Sequence, residues 1–300
     1  MRLSRSRAFR GMSDRVRLHL IDGTYELFRA HYSKRPDHSS PRGQPVKAAV
    51  GLSASLLALL NDKDEAVSHV AIAFDNPIKS FRNDLYDGYK TEEGIDPQLL
   101  AQFDLAEETA RALGIVVWSM DLWEADDALA TAAARFASEV DQVRILTPDK
   151  DLGQAIRGTK VVQVDRMRRR EIDEARLLET RGIAPASIPD WLALVGDTAD
   201  GIPGIPGFGE KTAAALLRVY RYIEEIPTDR SWDVPVRGAE RLMATLRARM
   251  DDALLYRTLA TLVTHVPLRE SLEDLRWRGV QEDAFRDWSE RLGVRQGTAY

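Results

Sequence analysis

Three hundred residues, 44% apolar and 30% charged, are enough for one large domain or two modest ones around a substantial core. The absence of cysteine excludes a disulfide framework, a thiolate metal site and a cysteine nucleophile, and no apolar run approaches the length needed to span a bilayer, so no membrane partner is expected. A net charge of −5 argues at first against a polyanionic partner.

The first fifteen residues carry five arginines, but no apolar stretch follows as in a secretory signal. Residues 1–14 are therefore expected to be a tail, with Met12 an alternative initiator and a cytoplasmic location the default. Val16 to Ile21 is an apolar strand ending in Asp22-Gly23, and Tyr25 to His31 is the start of a helix that carries Arg29. Residues 34–46 hold three prolines and read as a loop. Lys47 to Leu60 is a long apolar helix, and Val70 to Phe74 a second strand, again ending in aspartate, Asp75. The stretch from Asn76 to Pro97 is too irregular to assign. A helix over Gln98–Leu113 and a third strand over Ile115–Trp118 lead to Glu124-Ala125-Asp126-Asp127, the acidic first turn of an alanine-rich helix. Val143 to Leu146 is a fourth strand, followed at once by Thr147-Pro148-Asp149-Lys150-Asp151, and Val161 to Val164 a fifth.

Nearly continuous apolar strands alternating with helices predict a mainly parallel sheet covered on both faces. Ligands of such sheets bind outside the carboxyl ends of the strands, where Asp22, Asp75, Asp149 and Asp151 fall, with Glu124, Asp126 and Asp127 opening a following helix. One strand-end aspartate is most often a turn former or cap. Several on one edge repel each other unless something positive intervenes. Lysine and arginine are sparse in these motifs, so metal cations are expected. Carboxylate oxygens without histidine or cysteine suit magnesium or manganese rather than zinc.

After about residue 172 the strand signal ends. Ile188 to Val195 reads as a helix, followed by Gly196-Asp197-Thr198-Ala199-Asp200 and then by Pro203-Gly204-Ile205-Pro206-Gly207-Phe208-Gly209-Glu210-Lys211-Thr212-Ala213. This is the spacing of a helix–hairpin–helix. Gly207 and Gly209 allow close approach to a phosphate, the next helix offers free amides, and Lys211 adds charge. Residues 224–240 read as loop, and two or three helices complete the chain.

Asp22-Gly23, Phe74-Asp75, Ser80-Phe81-Arg82, Gly88-Tyr89-Lys90, Glu124-Ala125-Asp126-Asp127, Thr147-Pro148-Asp149-Lys150-Asp151 and the Gly196–Ala213 run follow one another in a known order. From Val16 to Tyr220 the chain resembles the bacterial and phage 5′-nuclease family, which comprises the flap endonucleases and the 5′–3′ exonuclease domain of DNA polymerase I. The resemblance implies an α/β, PIN-like catalytic domain over residues 15–172. It also implies a helical DNA-binding domain with a helix–three-turn–helix over 173–300, in a free-standing, monomeric protein. It assigns nine carboxylates to a metal site: Asp22, Asp75, Glu124, Asp126, Asp127, Asp149, Asp151, Asp197 and Asp200. Without those nine negative charges the net charge of −5 becomes +4, which leaves nucleic acid open as a partner. Arg29 and Lys90 match residues that contact the scissile phosphate, and Arg82, Tyr89, Gly207, Gly209, Lys211 and Thr212 fall in DNA-binding motifs. The implied cofactors are two or more magnesium or manganese ions, with room for a monovalent cation at the hairpin. The implied activity is metal-dependent hydrolysis of phosphodiesters in flapped, nicked or gapped DNA and in RNA primers on DNA. The alternative is a non-catalytic binder of branched DNA with the same fold. Three positions depart from the family pattern: Glu93 replaces a frequent arginine, Gly201 a frequent asparagine and Ala199 a frequent serine.

Overall fold

The computed structural model describes residues 15–294; the expected tail over 1–14 lies outside them. Six strands, β1 (Arg17–Asp22), β2 (His69–Asp75), β3 (Val116–Met120), β4 (Gln142–Leu146), β5 (Val161–Asp165) and β6 (Arg170–Ile172), form one sheet in the order β3-β2-β1-β4-β5-β6. All neighbours are parallel except β5 and β6. The three-residue return strand β6 was too short and too charged to read from sequence.

The period of two along each strand explains why both faces are covered. Ile21, Ile72, Phe74 and Val162 face one layer, with α1 (Gly23–His31) and α2 (Lys47–Leu60) packed there. The expected helix over Gln98–Leu113 is broken into α4 (Pro97–Leu100) and α5 (Phe103–Ala112), which join this layer after the short α3 (Arg82–Leu85). Leu18, Leu20, Ala71, Ala73 and Ile145 face α6 (Ala125–Phe136), whose alanines let helix and sheet approach closely. Strand order reverses between β1 and β4, and that switch point creates a crevice at the carboxyl edge.

A second core, built on Ile188, Trp191, Leu192, Leu216 and Tyr220, unites α7 (Glu174–Arg181), α8 (Ile188–Val195), α9 (Glu210–Tyr220), α10 (Ala239–Ala248) and α11 (Met250–Ala260). The chain then returns to the first domain. Trp277 donates its backbone amide to Ser68 and its indole N–H to Leu113, both carbonyls, and α12 (Glu282–Leu292) seats Trp288 and Leu292 against Val46 and Val50. The expectation that everything beyond 172 is a helical domain is corrected here. The stretch from Thr261 to Val294 belongs physically to the α/β domain. No helix among the described residues is long and apolar enough to cross a membrane.

Candidate metal centre and nucleic-acid interface

Each carboxylate is placed by a local device. Asp22 ends β1 and caps α1, accepting from the Tyr25 amide at 2.8 Å and the Thr147 hydroxyl at 2.9 Å. Asp75 ends the neighbouring β2 and accepts from the Ala125 amide at 2.7 Å, at the start of α6. Glu124 is the N-cap of that helix; its carboxylate is held by the Ser80 hydroxyl at 2.7 Å and the Tyr89 hydroxyl at 3.2 Å. Asp126 follows in the first helical turn. Asp149 and Asp151 sit just past β4, with the Asp151 amide donating to Asp149 at 3.0 Å. Asp197 and Asp200 come from the turn after α8, and with Asp151 they place one carboxylate oxygen each within 4.8 Å of one another.

The electrostatics show one crowded site. Burial, and then the proximity of Asp75 and Asp149, push Asp22 up to about 7, against the lowering effect of its two donors. Burial first, and neighbouring carboxylates second, raise Asp126 and Asp151 well above the carboxylate range. Asp75 and Asp200 are raised mainly by burial, partly offset by Lys90. Sparse as lysine and arginine are in these motifs, two lysines enter the cluster. Lys90 lies 3.2 Å from both Glu124 and Asp200, and Lys150 pairs with Asp197. They do not neutralise it: the Oδ1 atom of Asp151 is buried with no hydrogen-bond partner. A buried, unpaired oxygen amid repelling carboxylates, with oxygen donors only, fits a hard divalent cation.

Four of the expected site residues are engaged within the protein. Asp127 is fully buried, and both its oxygens are taken by the Arg82 guanidinium, at 2.7 and 2.8 Å, and by the Glu124 and Val263 amides. Occupied in this way, it has no lone pair directed at a metal, and it locks α6 to α3 and to the returning chain. Arg82 is 1% exposed and also donates to the carbonyls of Leu259 and Thr261, so it does not present itself to DNA. Tyr89 likewise points inward, to Glu124. Arg29 stands apart from the nine carboxylates; its guanidinium pairs with Glu26 and donates to Ser55 at 2.8 Å. Sequence reasoning quoted Thr147, Ser80 and Lys150 only as motif neighbours and gave them no role, yet they hold Asp22, Glu124 and Asp197. Their only signal was adjacency to the acidic motifs.

The hairpin is displayed outward. Gly207 takes the left-handed region at φ +91°, Gly209 caps α9, and both are exposed with Lys211; Thr212 is half-buried. Beside them runs a cleft of about 680 Å³ lined by Lys150, Arg181, Trp191, Lys211 and Arg218, with Glu210 the one acid, a predominantly basic surface suited to a phosphate chain.

Comparison with known proteins agrees with the fold. Residues 17–182 match the family described as 5′-3′ exonuclease, N-terminal resolvase-like domain, and residues 183–283 its C-terminal SAM fold. A 5′-3′ exonuclease of Aquifex aeolicus is 32% identical over 260 residues, covering 86% of each chain. DNA polymerase I of Rhizobium leguminosarum is 36% identical over 86% of this chain but only 26% of its own length. The chain spans between 26% and 31% of the polymerases it matches. Among solved structures, the zinc-bound 5′-exonuclease of bacteriophage T5 aligns with a TM-score of 0.66 at 21% identity, over 92% of this chain and 99% of that one. Human GEN1 bound to Holliday junction DNA aligns with a TM-score of 0.60 at 14% identity, over 93% and 68%. Those two likenesses concern the fold: a resolvase-like, PIN-type α/β domain followed by a helical one.

Proposed function

The chain belongs to the 5′-3′ exonuclease family, and from that premise we propose that it hydrolyses phosphodiester bonds near 5′ ends in flapped, nicked or gapped DNA, and in RNA primers paired to DNA. The observation that carries the reading is the gathering of eight carboxylates, Asp127 excluded, from two domains onto one sheet edge, with a buried oxygen of Asp151 left unpaired. Asp151, Asp197 and Asp200 would hold one magnesium or manganese ion, and Asp22, Asp75 and Asp126, with Asp149 between the groups, another. When bound, such ions supply an activated water and stabilise the leaving oxygen.

The chain's own residues do the rest. Thr147, Ser80 and the Ala125 amide fix carboxylate orientations before any substrate arrives. Lys90, held between Glu124 and Asp200, is positioned to turn toward a phosphate oxygen and offset negative charge as it develops. The Gly207–Thr212 hairpin, with Lys211, holds duplex by its backbone without reading sequence. We further propose that residues 15–172, with the returning stretch from Thr261, form the catalytic domain and the helices α7–α11 the duplex-binding one, in a monomeric cytoplasmic protein. A labelled panel of flap, nick, gap and plain single-strand substrates, incubated with magnesium, tests the reading. Cleavage concentrated on the junction-bearing substrates supports it, and cleavage of none of them overturns it.

A further inference from the structure

Four arginines in five residues, Arg166-Met167-Arg168-Arg169-Arg170, join β5 to β6 and take no part in the metal centre. Because β5 runs parallel to β4 and β4 to β1, Asp165 leaves the sheet on the edge where Asp22 does. Antiparallel pairing sets Arg170 opposite Asp165, and Arg169 turns the chain in the left-handed region at φ +51°. The tip is thus a short, constrained ribbon at the rim of the carboxylate edge. Arg29 donates to the Met167 sulfur at 3.4 Å, tying the ribbon to the helix that Asp22 caps.

The acids around the tip are already engaged. Glu26 pairs with Arg29 and Arg166, Glu171 with Arg144, and Asp165 with Arg168 at 2.9 Å. Arg169 and Arg170 are exposed and form no ion pair among the described residues. Adjacent unneutralised guanidiniums on a stiff ribbon match phosphate oxygens in charge and in fork geometry.

We propose that the Arg168–Arg170 ribbon grips the phosphate backbone of the double-stranded part of the substrate; this rests on the nuclease reading above. Sheet order supports the choice of duplex over single strand. If the 5′ single strand leaves past Lys90, as the nuclease reading has it, it leaves along the segment from Asn76 to Pro97, which follows β2 and is pinned to the β3 side through the Asn76 and Phe81 amides. The ribbon lies on the opposite flank, beyond β4. Contacts of this kind position the duplex and carry no sequence information.

The test measures binding of a nicked duplex and of a single-stranded oligonucleotide by fluorescence anisotropy across a salt series, with calcium in place of magnesium. Arg169→Ala with Arg170→Ala is expected to weaken nicked-duplex binding roughly tenfold at low salt and to lower the salt slope by about 1.8, about 0.9 per lost phosphate contact. Single-strand binding and melting temperature stay at wild-type values, and Arg169→Lys with Arg170→Lys restores the slope. Wild-type affinity and slope in the alanine variant overturn the proposal, as does a loss confined to the single strand. A fall in melting temperature without rescue by lysine assigns the ribbon a structural role and also overturns it. Wild-type protein that binds neither DNA contradicts the nuclease reading itself, a failure separate from the others.

Discussion

Lys90 and Asp200 are joined twice: the Lys90 amide donates to the Asp200 carbonyl at 3.0 Å, and the Lys90 ammonium lies 3.2 Å from the Asp200 carboxylate. One residue follows β2 and the other follows α8, so this double tie couples the irregular segment of the α/β domain to the hairpin domain at the metal centre. Gly201 makes the approach feasible. It sits at φ +74°, and a Cβ there would overlap the Gly88 carbonyl oxygen. That explains a glycine where relatives often have asparagine. Asparagine tolerates the dihedral but not the contact.

Gly201→Asn is therefore expected to push the two segments apart. Stability should fall by about 1–3 kcal/mol, and half-maximal cleavage should need more magnesium because Asp200 is displaced. Thermal melts and a magnesium titration of cleavage check this. Wild-type values in both would show that the contact relaxes freely.

Asp126 and Asp127 are neighbours with opposite roles. Asp127→Asn strands the buried Arg82 guanidinium and should cost about 3–5 kcal/mol in urea unfolding. Asp126→Asn removes one of several repelling carboxylates, so the metal-free protein should unfold no more easily than wild type, and magnesium should stabilise it less. Equal destabilisation by the two variants would contradict the separation of roles.

On the sheet, away from that edge, the Nε2–H of buried His19 donates to Glu65 at 3.0 Å, and Glu65 also receives Arg144. The hydrogen bond to His19, and Arg144, hold Glu65 down at about 2, against burial, whereas burial lowers His19. Both folded values lie below the unfolded ones, so the unfolded chain binds more protons and stability falls with falling pH. The His19 contribution is full above its ordinary value of 6.5 and fades below it; that of Glu65 is full above 4.5 and is lost toward 2. Urea unfolding at a series of pH values should show Glu65→Gln less stable than wild type at pH 7, with a flatter decline between pH 4.5 and 2. Parallel curves would refute the assignment.

Glu92 and Glu93 are exposed, directly after Lys90. Glu93 stands where the family pattern has an arginine, and both carboxylates would repel a phosphate chain passing within about 8 Å at physiological salt. Glu92→Lys with Glu93→Arg should tighten binding of long 5′ flaps, with the gain shrinking as salt rises. Equal affinity at low salt would mean that the segment does not meet the strand there.

The strands and the acidic edge were legible because continuous apolar runs and strand-end aspartates are local signals. Asp127 was misread for the opposite reason: its partner Arg82 lies 45 residues away, and nothing in the acidic run distinguishes a ligand from a buried counter-ion. The return of the chain at Trp277 was invisible for the same cause. Its hydrogen-bond partners, Ser68 and Leu113, are more than 160 residues distant, and the segment has no periodicity of its own. Lys90 and Lys150 lay in plain view, but only the fold shows them entering the cluster.

The most direct test of the central claim is single-turnover cleavage of a 5′-labelled flap by wild type and Asp126→Asn across a magnesium titration, with products sized on a gel. The carboxylate centre requires cleavage near the junction that rises with magnesium in the wild type, vanishes with chelator, and drops by roughly 10²- to 10³-fold in Asp126→Asn, the scale of losing one pre-organised group at a reaction centre. Magnesium-independent cleavage, or wild-type turnover by Asp126→Asn, would contradict it.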